Sequence, residues 1–159
     1  YLIENATENN WNVIIADVDK NLILSKTNNN PIATAVEVDT TNNQQRIALI
    51  QQATIVISMM PPALHFLIAE DCIKHAKNLL TASYVDENIK NLQSKIDNKH
   101  LLFLYEMGLD PGIDHMSAMK IIDEIHDKGG IITSFKKIVY DNVEIIEVKY
   151  RPISCSSIC

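Results

Sequence analysis

A chain of 159 residues, 47% hydrophobic, is long enough for one domain with a full core, and its modest glycine and proline content excludes a fibrous or disordered class. The net charge of −6 argues against a nucleic-acid partner, whose phosphates call for clustered Lys and Arg; the longest basic cluster is Lys136-Lys137. No apolar run approaches the roughly 20 residues that span a bilayer, so a membrane partner is not expected either.

Taken in chain order, Tyr1–Asn9 reads as the rear half of a helix feeding a short buried strand at residues 12–16, which ends at Asp17. The Asn-rich connection from Lys20 to Pro31 has room for a short helix around Leu22, Ile23 and Leu24. A strand at 34–38 ends at Asp39. A third, at 54–58, stops before Pro61 and Pro62, which discourage its continuation. Residues 78–81 and 101–104 are the fourth and fifth. Helical spacing fills the intervals: Ile47 and Ile50 in 42–52, Leu64, Leu67, Ile68 and Cys72 in 64–76, and Ile89, Leu92 and Ile96 in 86–97. A helix at about 115–128 runs to a Gly129-Gly130 stop, and strands follow at 131–140 and 143–150. The tail from Arg151 to Cys159 suggests no element.

Short strands alternating with helices, without clean polar alternation, imply an α/β fold with a mostly parallel, Rossmann-like sheet covered on both faces. The phosphate-gripping G-x-G-x-x-G turn is missing. The expectation is therefore a sheet lacking its first strand and glycine-rich turn. Residues 1–114 would form a partial dinucleotide-binding domain, and residues 115–159 the start of an α+β substrate or dimerisation domain. Cys72, Cys155 and Cys159 match no zinc spacing or disulfide framework, which suggests a reducing compartment, the cytoplasm, and no metal.

Strand ends carry the candidate ligand groups, because open α/β sheets bind ligands at the carboxyl ends of their strands. Asp17 is placed to accept both hydroxyls of an adenosine ribose; a carboxylate there repels a 2′-phosphate, favouring NAD over NADP. Asp39 could meet the adenine edge. Ser58 and Met59 end the third strand, where backbone and thioether could pass under the cofactor. Ser83 and Tyr84 lie beside the expected nicotinamide, with Ser83 or Asp86 as a helix cap.

The segment Y-E-M-G-L-D-P-G-I-D-H-M-S-A-M, Tyr105 to Met119, is an acidic turn stiffened by Gly108, Pro111 and Gly112. Asp114 suits a cap for the following helix through the Ser117 or Ala118 amide, with His115 neutral in its first turn. Glu106 could neutralise a substrate ammonium or orient its neighbours. Asp110 is not placed to cap that helix, and it suits hydrogen bonding to an amine or a proton network.

T-A-S-Y-V at 81–85, E-M-G-L-D-P-G-I-D-H-M-S-A-M-K at 106–120, I-I-D-E-I-H-D-K-G-G-I-I-T-S-F at 121–135 and A-T-I-V-I-S-M-M-P-P at 53–62 closely resemble the glutamate-forming saccharopine dehydrogenase (saccharopine reductase) family. That resemblance implies a nicotinamide-dependent enzyme that splits or joins saccharopine, glutamate and 2-aminoadipate 6-semialdehyde, with a small-molecule substrate and a homodimer as expected partners. It implies cofactor-side positions for Asp17, Asp39 and Ser58 through Pro61, and a nicotinamide–substrate boundary at Ser83 and Tyr84. Asp110 matches the active-site aspartate, with Gly112, Ile113 and Asp114 lining the same cleft. After Phe135 the family's Gly-Gly-Leu-Pro stretch is replaced by K-K-I-V-Y-D-N-V-E, so no substrate-carboxylate role passes to Arg151. Rival readings are a non-catalytic nucleotide-binding or structural remnant and a dehydrogenase of a related carboxylated polyamine.

Overall fold

The computed structural model of the chain describes residues 1–140 and 143–152; Cys155 and Cys159 lie outside the described residues. Helix α1 (Leu2–Asn5) leads into β1 (Val13–Asp17), α2 (Lys20–Lys26) and β2 (Ala33–Glu37), then α3 (Asn43–Gln52), β3 (Ile55–Ser58), α4 (Pro62–Lys74) and β4 (Asn78–Thr81). Two short helices, α5 (Glu87–Lys90) and α6 (Gln93–Asn98), precede β5 (Phe103–Leu104). The order closes with α7 (Ile113–Asp127), β6 (Gly130–Tyr140) and β7 (Val143–Pro152). Arg151, at the start of the unassigned tail, thus belongs to a strand.

Local chemistry sets the helix starts. Asp19 accepts the Asn21 and Leu22 amides to open α2, Asn42 accepts those of Gln44 and Gln45 to open α3, and Asp86 accepts that of Ile89 to open α5. Pro62 opens α4 where its missing N–H costs nothing. The single helix expected over 86–97 is divided, because the Leu92 amide bonds the Ile89 carbonyl three residues back and tightens the turn. Its apolar spacing still holds: Ile89, Leu92 and Ile96 are all buried.

Pairing is parallel throughout the first part of the chain. β1 pairs with β2 across the α2 crossover, and β3, β4 and β5 form a second parallel set in that order. Among the described residues no backbone ladder joins the two sets. In the strand order 3-2-1-4-5-6 this break falls where the first strand of a doubly wound sheet sits. The expectation that both faces are covered fails beside the break: Ile14, Ile55 and Ile57 alternate outward and are exposed. α4 fills the main core, with Ile68, Ala69 and Cys72 packed on Leu79 and Tyr105. After α7 the pairing changes, and β6 and β7 form an antiparallel hairpin.

Candidate active site

All the sequence-derived ligand residues lie at the carboxyl ends of β1 to β5 or in the acidic turn that follows. Asp17 is the last residue of β1, in register with Glu37 of β2. It is exposed, and its Oδ1 accepts the Asp19 amide at 3.0 Å. Asp39 closes its own loop, accepting the Thr41 amide at 2.9 Å and the Thr41 hydroxyl at 2.7 Å through the same oxygen. The Thr41 hydroxyl, then its amide, hold the Asp39 carboxyl below its ordinary value. Behind this loop, buried Arg46 on α3 donates to the Thr40 carbonyl at 2.6 Å and to Asp71 of α4 at 2.7 Å.

The Ser58 side chain turns inward, buried, with its hydroxyl 2.8 Å from His65 Nδ1 on α4, which leaves the Ser58 backbone at the strand end. Met59, next along, is 78% exposed. Thr81 ends β4 in register with Ser58 and is fully buried, its hydroxyl 3.5 Å from the same imidazole nitrogen. Burial pushes His65 below the ordinary imidazole value, with the Met60 carbonyl working against it.

The acidic turn is built on backbone. Gly108 N–H donates to the Pro111 carbonyl at 2.9 Å, and the Ile113 and Asp114 amides return to the Gly108 and Leu109 carbonyls. The Asp110–Pro111 peptide is cis. The turn is tied to the β4 end by the Glu106 amide donating to the Ser83 carbonyl and the Met107 amide to the Thr81 carbonyl. The Glu106 carboxylate accepts the Val85 amide at 3.3 Å, so it orients that loop. Tyr84, three residues past the end of β4, donates its phenolic O–H to Asp110 Oδ1 at 2.6 Å. Two expected site residues, 26 positions apart, are thereby joined.

Asp114 departs from its expected role. α7 begins at Ile113, so Asp114 is already in the first turn; its Oδ1 reaches back to the Gly112 amide at 3.0 Å and to His115 Nδ1 at 2.8 Å. It is buried, while Ile113 beside it is exposed. Oxygen or nitrogen atoms of Asp110, Asp114 and His115 come within 4.8 Å of one another. A separate groove of about 520 Å³, lined by Ile121, Glu124, Lys128 and Tyr150, lies between α7 and β7, away from these residues.

Gly112 has φ +146°, and a Cβ there would collide with the Gly108 carbonyl and lie 2.8 Å from that of Glu106. Gly112→Ala is therefore expected to cost about 3 kcal/mol, from the positive φ together with the clash, and to disorder the turn. Thermal denaturation measures the loss; an unchanged midpoint would contradict the turn geometry.

His65 and Arg46 escaped the reading of the sequence. Each carried a signal: His65 shares the apolar α4 stripe with Ile68, Ala69 and Cys72, and Arg46 lies one turn before buried Ile50. A polar side chain on such a stripe needs a buried partner.

Residues 1–104 match the family model described as the saccharopine dehydrogenase NADP binding domain, and residues 108–151 the one described as the saccharopine dehydrogenase C-terminal domain. The alpha-aminoadipic semialdehyde synthase of Arabidopsis thaliana is 42% identical over 101 residues, 64% of this chain and 10% of that protein. A saccharopine dehydrogenase (NADP(+), L-glutamate-forming) of Saccharomyces cerevisiae is 33% identical over 101 residues, 64% of this chain and 23% of that protein. The solved apo saccharopine dehydrogenase (L-Glu forming) from Saccharomyces cerevisiae superposes with a TM-score of 0.69 at 29% identity, covering 78% of this chain and 28% of its own. The chain thus spans between a tenth and a quarter of the length of these curated relatives. By these matches and by its parallel strand pairing, the chain belongs to the saccharopine dehydrogenase family.

Proposed function

We propose that the protein catalyses the reversible nicotinamide-dependent conversion of saccharopine and water to glutamate and 2-aminoadipate 6-semialdehyde. The observation that carries this reading is the Tyr84–Asp110 hydrogen bond, which holds a carboxylate of the acidic turn against the end of β4. Family membership and the names of the relatives support the substrate class. The residues present fit the adenosine half of a dinucleotide: exposed Asp17 ends β1, and the Met59 segment follows β3.

A bound nicotinamide supplies hydride acceptance. Asp110 and Tyr84 orient the secondary amine of saccharopine and manage the proton at that nitrogen, while Gly112 and Ile113 shape the cleft beside them. Asp114 acts by fixing the turn. Ser83 and Met59 border the dinucleotide through backbone and thioether, and Asp39 sets the adenine-side loop. Calorimetric titration with NAD and NADP, followed by saccharopine oxidation, tests the whole reading. Failure to bind either dinucleotide would leave only a structural remnant, and binding without oxidation a nucleotide-binding one.

The family description and the yeast relative's name point to NADP, whereas local charge points to NAD. Asp17, Asp19, Glu37 and Asp39 gather carboxylates at two adjacent strand ends, where a ribose 2′-phosphate would be repelled. Asp17→Ser is expected to weaken NAD by about tenfold, the worth of one charge-assisted hydrogen bond, and NADP less. Tighter NADP binding by the unaltered protein would sink the preference.

The same proposal divides the chain into a partial dinucleotide-binding part, 1–114, and the start of a substrate or dimerisation part, 115–159. The change from parallel to antiparallel pairing after α7 supports that division. Sedimentation tests the homodimer. The buried thiol of Cys72, raised to about 12 by desolvation, suits a structural cysteine in the cytoplasm.

A further inference from the structure

Three polar side chains interrupt the apolar layer between α4 and the sheet, two at the carboxyl ends of strands and one in the first turn of α4. Ser58 ends β3, Thr81 ends β4, and the two are in register. His65 places Nδ1 2.8 Å from the Ser58 hydroxyl and 3.5 Å from that of Thr81. All three are at least nine-tenths buried. Farther along, the inward face of α4 is apolar, with Ile68, Ala69 and Cys72.

Apolar residues of matching shape would hold α4 on the sheet as well, since buried polar groups contribute little net stability even when satisfied. What the trio adds is direction. Thr81 Oγ1 accepts the Ser83 amide at 3.2 Å, and the Ser83 carbonyl accepts the Glu106 amide at 3.0 Å. Tyr84 follows directly and donates to Asp110. On the other strand, Ser58 is followed directly by Met59 and Met60.

We propose that His65 is a positioning residue that sets, through Ser58 and Thr81, the spacing between the 59–61 and 82–84 loops that flank the nicotinamide. This rests on the dehydrogenase reading above. In the neutral imidazole, Nδ1 accepts from Ser58, with Thr81 as a weaker second donor. One side chain thus registers both loops. Because the adenosine half is held elsewhere, at Asp17, loss of His65 should disturb alignment more than binding.

Two substitutions separate direction from bulk. His65→Asn keeps an acceptor near the Nδ1 position; His65→Leu keeps volume and removes it. With the protein at its full encoded length, His65→Leu is expected to lower kcat by about 30-fold while dinucleotide KM changes less than about threefold, as misplacement by a fraction of an ångström would. His65→Asn should recover most of that loss. Hydrogen exchange supplies a readout independent of turnover: the Ser83 amide should exchange faster in His65→Leu and in Thr81→Val than in the unaltered protein. Equal kcat and equal Ser83 exchange in His65→Leu would overturn the proposal while leaving the dehydrogenase reading intact. Equal loss in His65→Asn and His65→Leu, with lowered thermal midpoints in both, would reduce His65 to packing and overturn it too. An unaltered protein that binds neither NAD nor NADP would overturn both readings.

Discussion

Asp110→Asn is expected to lower kcat for saccharopine oxidation by on the order of 100-fold, the usual worth of a positioned proton-handling group. The amide oxygen of Asn can still accept the Tyr84 hydroxyl that Asp110 now accepts at 2.6 Å, so the bond between turn and strand end survives. What disappears is the ability to hold a proton and to offset positive charge on the substrate nitrogen. The acidic limb of the pH–rate profile should vanish with it, and substrate KM should move little. Tyr84→Phe makes the opposite cut, leaving the carboxylate while deleting its donor, and its effect on kcat should be smaller. If Asp110→Asn turns over at the unaltered rate with the same pH profile, Asp110 has no proton role. The double variant sharpens the test, because two members of one network lose less together than the sum of their separate losses.

Much of this site was legible in the residues before any fold was known. Asp17, Asp39, Ser58 and Thr81 were placed at strand ends by short apolar runs followed by polar residues, and the strands lie within one or two positions of those limits. Gly108, Pro111 and Gly112 announced a backbone-built turn, and Gly112 indeed takes a φ that a Cβ would oppose. What could not be read was where side chains turn. Ser58 and Met59 are neighbours, yet one is buried against His65 and the other exposed, because β3 ends at Ser58, whose side chain packs under α4, and Met59 lies beyond it. Asp114 looked like a forward cap, and a helix start earlier than expected made it a backward one. The Tyr84–Asp110 pair needs β4 and the acidic turn brought side by side, a long-range fact that no local pattern carries.

The interior makes an equally sharp demand at Arg46. Arg46→Met is expected to destabilise the protein by about 3–5 kcal/mol, because it strands a buried carboxylate without its cation. Arg46 and Asp71 are only 6% and 8% exposed, and the guanidinium spends Nε on Asp71, Nη1 on the Thr40 carbonyl and Nη2 on Asn43. For a chain of this size the loss should appear as a fall of about 10 °C in thermal midpoint. The pair itself need not be stabilising relative to apolar substitutes. Arg46→Met combined with Asp71→Leu should therefore recover most of the midpoint. Recovery of dinucleotide binding should lag behind it, since Thr40 anchors the loop that carries Asp39 and loses its buried donor in both variants. A single Arg46→Met variant as stable as the unaltered protein would show that water reaches Asp71 and replaces the guanidinium. A double variant that recovers both stability and binding would show that the loop holds its shape through the Asp39–Thr41 contacts and the Gln45 side chain, which accepts the Asp39 amide at 2.9 Å.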